Sequence, residues 1–321
     1  MRGFVGVTDW DWFRQLRREE PDDVNFWRPS GQLLRALQPG DPFLFKLHAP
    51  RNVIAGGGFF VESRQLPVSQ AWMAFERRNG VRDLDELMAR IDHYRRARSG
   101  SGPSDPLIGA VLLTQPFFFA DDEFVPAPED WKANIVVGKG YDLATGVGAR
   151  VWHAVLERLR FRNAAELPPA DADRASRRAW VVQRLGQGTF RTRVTDAYGR
   201  RCAVAGERTL PVLEAAHIKP YAQQGPNRVD NGLLLRSDRH RLVDRGLVPI
   251  EPERLTFVLS QRIRDEYHNG RVYYELEGKP LLVLPDRPDE RPNRTFLEHH
   301  HRAITRPQEQ KADGAPVARL S

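Results

Sequence analysis

Cysteine is nearly absent from this sequence, since the chain of 321 residues contains only one, Cys202. A single thiol excludes an internal disulfide framework and any zinc site built from cysteine alone. Long apolar runs are absent as well, and none approaches the roughly 18 residues that a membrane-spanning helix needs. The first residues, MRGFVGVTDWDWF, lack the apolar segment and the cleavage site of a signal peptide. These absences predict a cytoplasmic protein that does not enter a membrane.

Apolar and aromatic residues, in contrast, are plentiful enough for large cores. Hydrophobic residues make up 40% of the chain and include 16 Phe and 7 Trp, which excludes a chain that is disordered throughout. A length of 321 residues exceeds what one compact domain usually contains, so two domains are expected.

Positive charge is concentrated in the second half of the chain. Residues 1–150 contain 19 basic and 20 acidic side chains, whereas residues 151–321 contain 30 basic and 22 acidic ones. The whole formal excess of +7 therefore comes from the second half. A basic module beside a nearly neutral one favours a polyanionic partner for the basic module, although an arginine-rich composition also serves solubility alone.

The segment from Arg162 to Ala175 is the best candidate for a domain boundary, because two adjacent prolines lie among alternating small and charged residues. We therefore expect a first domain over residues 1–162, a linker and lead-in helix over residues 163–186, and a second domain over residues 187–304. The polar residues 305–321 are expected to form a disordered tail.

Three short motifs in the second half carry recognisable chemistry. They are AAHI at residues 215–218, NGLLL at 231–235 and HRLVDRG at 240–246. The first two are strand-like and are joined by a loop rich in glycine, proline and asparagine. Ser237 and Gly246 are residue types typical of the start and the end of a helix. His240 and Asp244 then share one helix face, where an imidazole and a carboxylate can bind one divalent metal ion.

This strand–loop–strand–helix pattern resembles the HNH nuclease family, specifically its AAHI…NGL…HxLxDxG branch. The resemblance extends from Gly186 to roughly Ile304 and includes the lead-in sequence GQGTFR. An Asn, a His nine positions later and a second ligand four positions further follow the same spacing as in HNH nucleases of the colicin type. The resemblance implies a C-terminal ββα-metal nuclease domain.

The same resemblance implies roles for four residues. His217 would be the general base that takes a proton from the water attacking phosphorus, and Asn231 would hold the loop and orient His217. His240 and Asp244 would bind one divalent metal ion, with Mg²⁺ or Mn²⁺ expected. This ion would neutralise charge that develops on the phosphate and on the leaving oxygen.

Two departures from the family pattern concern metals. Many relatives have a His or Asp directly before the base as a further ligand, whereas this chain has Ala216, which cannot coordinate. Glu214 lies two residues earlier and is an alternative donor for that position. Many relatives also bind a structural zinc through paired CxxC motifs, of which only Cys202 remains. No structural zinc is therefore expected, and Cys202 is expected to be a small buried residue.

Several segments of the first half are similar to the PUA-like superfamily, which includes the EVE, YTH and SRA-type readers. These segments are DWDWF, VNFWRPSG, QPGDPFLFK and IAGGGFF. The similarity implies an α+β protein whose N-terminal PUA/EVE-like β-barrel with flanking helices precedes the nuclease domain. Such readers accept a modified base that has been flipped out of the DNA helix into an aromatic pocket.

Trp10, Asn25 and Trp27 are the candidates for the wall and the base contacts of such a pocket. Packing in the core is an equally good interpretation for the two tryptophans. Core positions are the expectation for four other aromatic residues, namely Trp12, Phe13, Phe43 and Phe45.

Together, the motifs and resemblances predict a modification-dependent DNA restriction endonuclease that acts in defence against modified DNA. Its partner would be double-stranded DNA containing a modified base, and cutting of both strands favours a homodimer or two successive encounters. One alternative is an HNH nuclease whose first domain reads a specific sequence, RNA or a protein partner. A second alternative, supported by Ala216, is a degenerate nuclease that binds DNA without cutting it.

Overall fold

The structure is a computed structural model that describes residues 1–96, 103–160, 173–267 and 271–302. The chain divides into two compact units, Met1–Thr189 and Phe190–Ser321. Both units combine helices with strands, which confirms the predicted α+β class. None of the helices within the described ranges is long and apolar enough to span a bilayer. The tail expected at residues 305–321 lies outside these ranges.

The described part of the first unit is built on one mixed sheet. Its strands are β1 (Arg2–Thr8), β2 (Asp23–Arg28), β3 (Pro42–Leu47), β4 (Val53–Pro67), β5 (Leu107–Phe118), β6 (Val125–Pro126) and β7 (Gly138–Asp142). Its helices are α1 (Trp10–Glu19), α2 (Val68–Phe75), α3 (Leu84–Arg96), α4 (Gly146–Arg160) and α5 (Arg174–Gln183). The strand order is β2-β5-β4-β3-β1-β7 with β6 beside β4. Strands β1 and β3 run parallel, and the other pairs are antiparallel.

Aromatic side chains pack α1 against this sheet. The ring of Trp12 meets the ring of Phe45 edge-on, with 5.0 Å between centroids, and the ring of Phe26 at 5.4 Å. Trp12, Phe13, Phe43 and Phe45 are each at most 2% exposed. Their predicted place in the core is confirmed, and aromatic pairs of this geometry stabilise a core beyond the area that they bury.

The described residues between the two predicted domains belong to the first unit. In α5, the Trp180 ring lies 5.1 Å from the Phe59 ring in an edge-on arrangement. Val181 and Leu185 are buried in the same core. The predicted linker and lead-in helix at residues 163–186 thus includes α5, whose apolar face is buried against the sheet of the first unit. The earlier part of that predicted linker, residues 161–172, lies outside the described ranges.

A buried ion pair joins two elements of the first unit, and its removal is expected to destabilise that unit. The Asp23 carboxylate is completely buried and lies 2.9 Å from the Arg78 guanidinium, and it also accepts the backbone N–H of Thr189 at 2.7 Å. Burial raises the pKa of Asp23 to about 6 against the attraction of Arg78, so the carboxyl is ionised at pH 8. Asp23→Ala should then lower the free energy of unfolding by about 3–5 kcal/mol, because it leaves the half-buried Arg78 guanidinium without its nearer carboxylate and the Thr189 N–H without its acceptor.

Denaturant unfolding at pH 8, followed by tryptophan fluorescence, measures this effect, because all seven tryptophans lie in the first unit. The matched control is Asp22→Ala. Asp22 is 42% exposed and lies 3.5 Å from Arg78, so its loss should cost less than about 1 kcal/mol. Equal losses from the two variants would contradict the prediction.

The second unit is built around a hairpin and the helix that follows it. Its elements are α6 (Gln187–Ala197), which begins three residues before the unit boundary, β8 (Leu213–His217), β9 (Gly232–Arg236), α7 (Ser237–Asp244), β10 (Ile250–Glu251), β11 (Thr256–Phe257), α8 (Arg262–Tyr267), α9 (Arg271–Tyr274) and a last helix at residues 294–302. Leu233, Leu234 and Leu235 are completely buried, so β9 is covered on both faces. The hairpin and α7 are thereby anchored in the core of this unit.

Candidate metal and catalytic site

The register of the β8–β9 hairpin positions the two predicted catalytic residues. His217 ends β8 opposite Gly232, and Asn231 directly precedes Gly232. A Cβ atom at position 232 would overlap the side chain of Val194 on α6, so glycine lets the hairpin lie against that helix. His217 and Asn231 therefore stand at the same end of a buried hairpin, and a loop connects them.

The imidazole of His217 is partly buried and has two defined neighbours. The Phe190 ring stacks on it with 4.1 Å between centroids and an angle of 16° between the planes. Nε2 of His217 lies 2.8 Å from Oδ1 of Asn227. Burial lowers the pKa of His217, although the bond to Asn227 and the charge of Asp244 act in the opposite direction. The ring is therefore neutral at neutral pH, as a general base must be.

The side chain of Asn231 holds the loop between the two strands. Asn231 is completely buried, and its Oδ1 accepts the backbone N–H of Lys219 at 2.8 Å. Its amide nitrogen donates to the carbonyl oxygens of Lys219 at 3.1 Å and Pro226 at 2.9 Å. Glycine is required at position 225, because a Cβ atom there would overlap the carbonyl oxygen of Lys219. Both ends of the loop are thus attached to one amide group.

Helix α7 brings the two predicted metal ligands together, and β8 places a second carboxylate nearby. Nε2 of His240 lies 3.2 Å from Oδ2 of Asp244, one turn further along the helix. Nδ1 of His240 lies 2.6 Å from Oε2 of Glu214 on β8. Burial alone would lower the pKa of His240, but the bonds to Asp244 and Glu214 outweigh it, and the pKa is raised.

The donor atoms of His240 and Asp244 fit a single divalent cation. Two ligands about 2.1 Å from one ion, at angles between octahedral and tetrahedral, are roughly 3.0–3.4 Å apart, and these two donors are 3.2 Å apart. Within the described ranges, no group of three or more His, Cys, Asp or Glu side chains is arranged to hold a metal ion. The protein would therefore supply two ligands and leave other coordination positions open.

Glu214 and Ala216 are two positions apart on β8, a spacing that places them on the same face of the strand, but their surroundings differ. Ala216 is completely buried opposite Leu233, in the apolar core of the second unit. Glu214 is exposed, and its carboxylate contacts the ring nitrogen of His240 that faces away from Asp244. In this arrangement Glu214 orients the histidine, as carboxylates commonly do for metal-binding imidazoles.

Two of the three predicted pocket residues of the first unit, Asn25 and Trp27, share one buried partner. Asn25 is completely buried, and its amide donates to Oδ1 of Asn79 at 2.9 Å. Trp27 is 9% exposed, and its indole N–H donates to the carbonyl oxygen of Asn79 at 2.9 Å. Asn79 thus joins Asn25 and Trp27 inside the unit. Their role in a base pocket stays a prediction.

Trp10 is the first residue of α1 and has other neighbours. The Arg51 guanidinium lies 3.8 Å from its ring centroid, and Arg17 lies 5.6 Å from it. The ring is half-buried and also contacts Phe13 at 5.6 Å. A cation stacked on an accessible aromatic face is a common feature of surfaces that meet nucleic acids.

Sequence reasoning missed two residues that contact His217, the predicted general base. Phe190 belongs to the GQGTFR lead-in, whose place in the resemblance was the only signal for it. Asn227 lies in the connecting loop, ten residues after His217, where no spacing rule identifies it. Cys202 is completely buried, as predicted.

Comparison with family models finds a match within the second unit. Residues 202–251 match the model of an HNH endonuclease family. This span contains the hairpin, its loop and α7, and therefore all four predicted site residues. The second unit thus contains a segment that is similar to HNH endonucleases.

Comparison with solved structures finds similarity to ASCH from Zymomonas mobilis. That structure is 14% identical, with a TM-score of 0.25 over 38% of this chain and 76% of the other. A variant of the same protein is 11% identical, with a TM-score of 0.30 over 48% of this chain and 97% of the other. Comparison with curated proteins found no match.

Proposed function

We propose that this protein is a modification-dependent DNA endonuclease, in which the second unit hydrolyses phosphodiester bonds and the first unit reads a modified base. One observation carries the nuclease part of the proposal. A neutral imidazole, His217, and a histidine–carboxylate pair, His240 and Asp244, belong to one strand–loop–strand–helix unit that matches the HNH family model. A base beside a divalent-metal site suits phosphodiester hydrolysis.

His217 takes a proton from the attacking water in this mechanism. Its lowered pKa keeps the ring unprotonated at the pH of the cytoplasm. Stacking on Phe190 and the bond to Asn227 hold the ring in one orientation. A base that is oriented before the substrate arrives avoids the cost of ordering it in the transition state.

His240 and Asp244 would hold the divalent cation, with Mg²⁺ or Mn²⁺ as the proposed species. When bound, such an ion offsets the negative charge that builds up on the phosphate during hydrolysis. Glu214 accepts the Nδ1–H of His240 and so turns Nε2 toward Asp244. This assignment makes Glu214 an orienting group and not the replacement for the ligand missing at Ala216.

The first unit would select the DNA. Its sequence is similar to PUA-like readers, and the half-buried ring of Trp10 would provide aromatic surface against a flipped base. The near-neutral charge of residues 1–150 suits contact with a base more than with the phosphate backbone.

A cleavage panel tests this function. Duplexes of one sequence, differing only in cytosine or adenine modification, are incubated with the full chain and Mg²⁺ or Mn²⁺. We expect cleavage of at least one modified duplex and little cleavage of the unmodified one. Equal cleavage of all duplexes would refute the modification part, and absence of cleavage with every metal would refute the nuclease part.

A second candidate is an HNH nuclease with a different targeting principle, such as a DNA sequence, RNA or a protein. The burial of Asn25 and Trp27 favours it, because both side chains are engaged by Asn79 and offer little surface to a base. Binding of the full chain to modified DNA, unmodified DNA and RNA, measured without metal, distinguishes the two candidates. Preference for one modified duplex supports the reader, and preference for one unmodified sequence or for RNA supports the second candidate.

A further inference from the structure

The general base proposed here is held by residues that lie outside the three motifs. The Phe190 ring, 1% exposed, covers one face of the His217 imidazole. The amide of Asn227, 7% exposed, lies at the edge of the same ring. One contact restrains the plane of the imidazole, and the other restrains its rotation within that plane.

We infer that Asn227 is the positioning residue of the catalytic base, because its amide oxygen accepts the Nε2–H of His217 and leaves Nδ1 as the nitrogen that receives the proton from water. This inference rests on the proposed nuclease function. A neutral imidazole has one N–H and one unprotonated nitrogen, and the hydrogen-bond partner determines which is which. No described residue hydrogen-bonds to Nδ1 of His217, whereas Nε2 is 2.8 Å from a carbonyl-type oxygen.

The loop explains how Asn227 is held at the ring. Asn231 donates to the carbonyl oxygen of Pro226, the residue directly before Asn227, at 2.9 Å. Asn231 also binds both backbone groups of Lys219, two residues after the base. The amide of Asn231 therefore fixes the chain on both sides of the contact, and it acts on His217 through Asn227.

The charges around the ring act on its pKa from several elements. Asp244 on α7 raises the pKa of His217, whereas His240 on α7 and Arg191 on α6 lower it. The amide of Asn227 is uncharged. It therefore selects the nitrogen of His217 that carries the proton without adding a negative charge beside the ring. A carboxylate at position 227 would favour the protonated ring, which cannot act as a base.

Nitrogen NMR of the full chain, labelled at histidine, tests the inference independently of cleavage. The signals of His217 are identified by their loss in His217→Gln. We expect the Nε2–H form in the unaltered protein and a mixture of both forms in Asn227→Ala. In cleavage assays Asn227→Ala should lose about 10-fold to 100-fold in rate, the size of effect that misplacement of a reacting group causes.

Asn227→Asp is the second variant, because it keeps the acceptor and the size of the side chain. It should retain the Nε2–H form and raise the pKa of His217 by about 1 unit or more. Cleavage requires the neutral ring, so the acid limb of the rate–pH profile should move to higher pH. Gln223→Ala, an exposed change in the same loop, is the matched control and should alter neither the tautomer nor the profile.

The outcomes for the inference and for the function are separable. Observation of the Nδ1–H form of His217 in the unaltered protein overturns the inference. The inference is also overturned if the chain cleaves DNA and the His217 signals of Asn227→Ala are identical to those of the unaltered protein. A chain that cleaves no DNA overturns the nuclease function, whatever tautomer NMR finds.

Discussion

His217→Ala should reduce the rate of DNA cleavage by about 10²-fold to 10⁴-fold, the range that a positioned general base contributes. The substitution removes the group that would take the proton from water, whereas the metal ligands on α7 are unchanged. His217 contacts the buried Phe190 and Asn227, so the variant's fold is checked by circular dichroism. Single-turnover cleavage with enzyme in excess measures the chemical step.

The matched control is His153→Ala, a histidine on α4 whose side chain is 69% exposed. Its cleavage rate should equal that of the unaltered protein. If His217→Ala folds correctly and cleaves as fast as the unaltered protein, His217 is not the base. If the unaltered protein and His217→Ala both bind DNA and neither cleaves it, the protein is the degenerate, DNA-binding alternative.

His240→Ala should abolish metal binding at this site and lower cleavage by about 10³-fold or more, the equivalent of several kcal/mol. The loss leaves Asp244 as the only member of the proposed ligand pair, and one exposed carboxylate holds a divalent ion poorly. Calorimetric titration with Mn²⁺ measures binding independently of cleavage. Asp244→Asn should weaken binding as well, because it removes the charge but keeps the shape of the side chain.

Asp238→Asn provides the control on the same helix. Its carboxylate binds Arg236 at 3.1 Å and the hydroxyl of Tyr273 at 3.4 Å, away from the proposed ligand pair. Mn²⁺ affinity should be the same in this variant as in the unaltered protein. Retention of full Mn²⁺ affinity in His240→Ala would place the metal elsewhere and contradict the assignment.

The local structure of the second unit was predictable because its signals lie within short stretches of sequence. The motif at 240–246 places His240 and Asp244 one turn apart, and the structure has α7 at Ser237–Asp244. The ends of this helix were predicted to within about one residue. Arg236 is the cap and Ser237 already helical, while Gly246 adopts the left-handed φ of 64° that ends helices.

The contacts between distant residues were not predictable in the same way. The Glu214 carboxylate reaches His240 across 26 positions, and only the pairing of β8 with α7 brings them to 2.6 Å. Asn227 reaches His217 because Asn231 folds the loop back onto the hairpin. Spacing rules describe one element at a time, so they identify neither contact.

In the first unit, the sequence likewise does not predict which aromatic side chains are buried. Aromatic residues are used both in cores and in base pockets, and composition alone does not separate the two uses. Trp12 is 2% exposed and Trp27 is 9% exposed, whereas Trp10 is half-buried beneath a guanidinium. The sheet and α1 decide which tryptophan retains accessible surface.

The loop of the hairpin divides into two parts that differ in their tolerance to redesign. Residues 221–224 are exposed, whereas Gly225 is buried against Lys219, and Asn227 and Asn231 are committed to the site. Exposed loop segments accept insertions at low energetic cost. The N–H of Gly225 donates to the carbonyl oxygen of Pro220 and closes this segment into a turn, and the Tyr221 ring lies 6.2 Å from the His217 ring. A recognition peptide inserted between Tyr221 and Gln224 therefore has to keep that turn closed. The natural architecture thus offers a grafting position for changing which nucleic acids the nuclease meets.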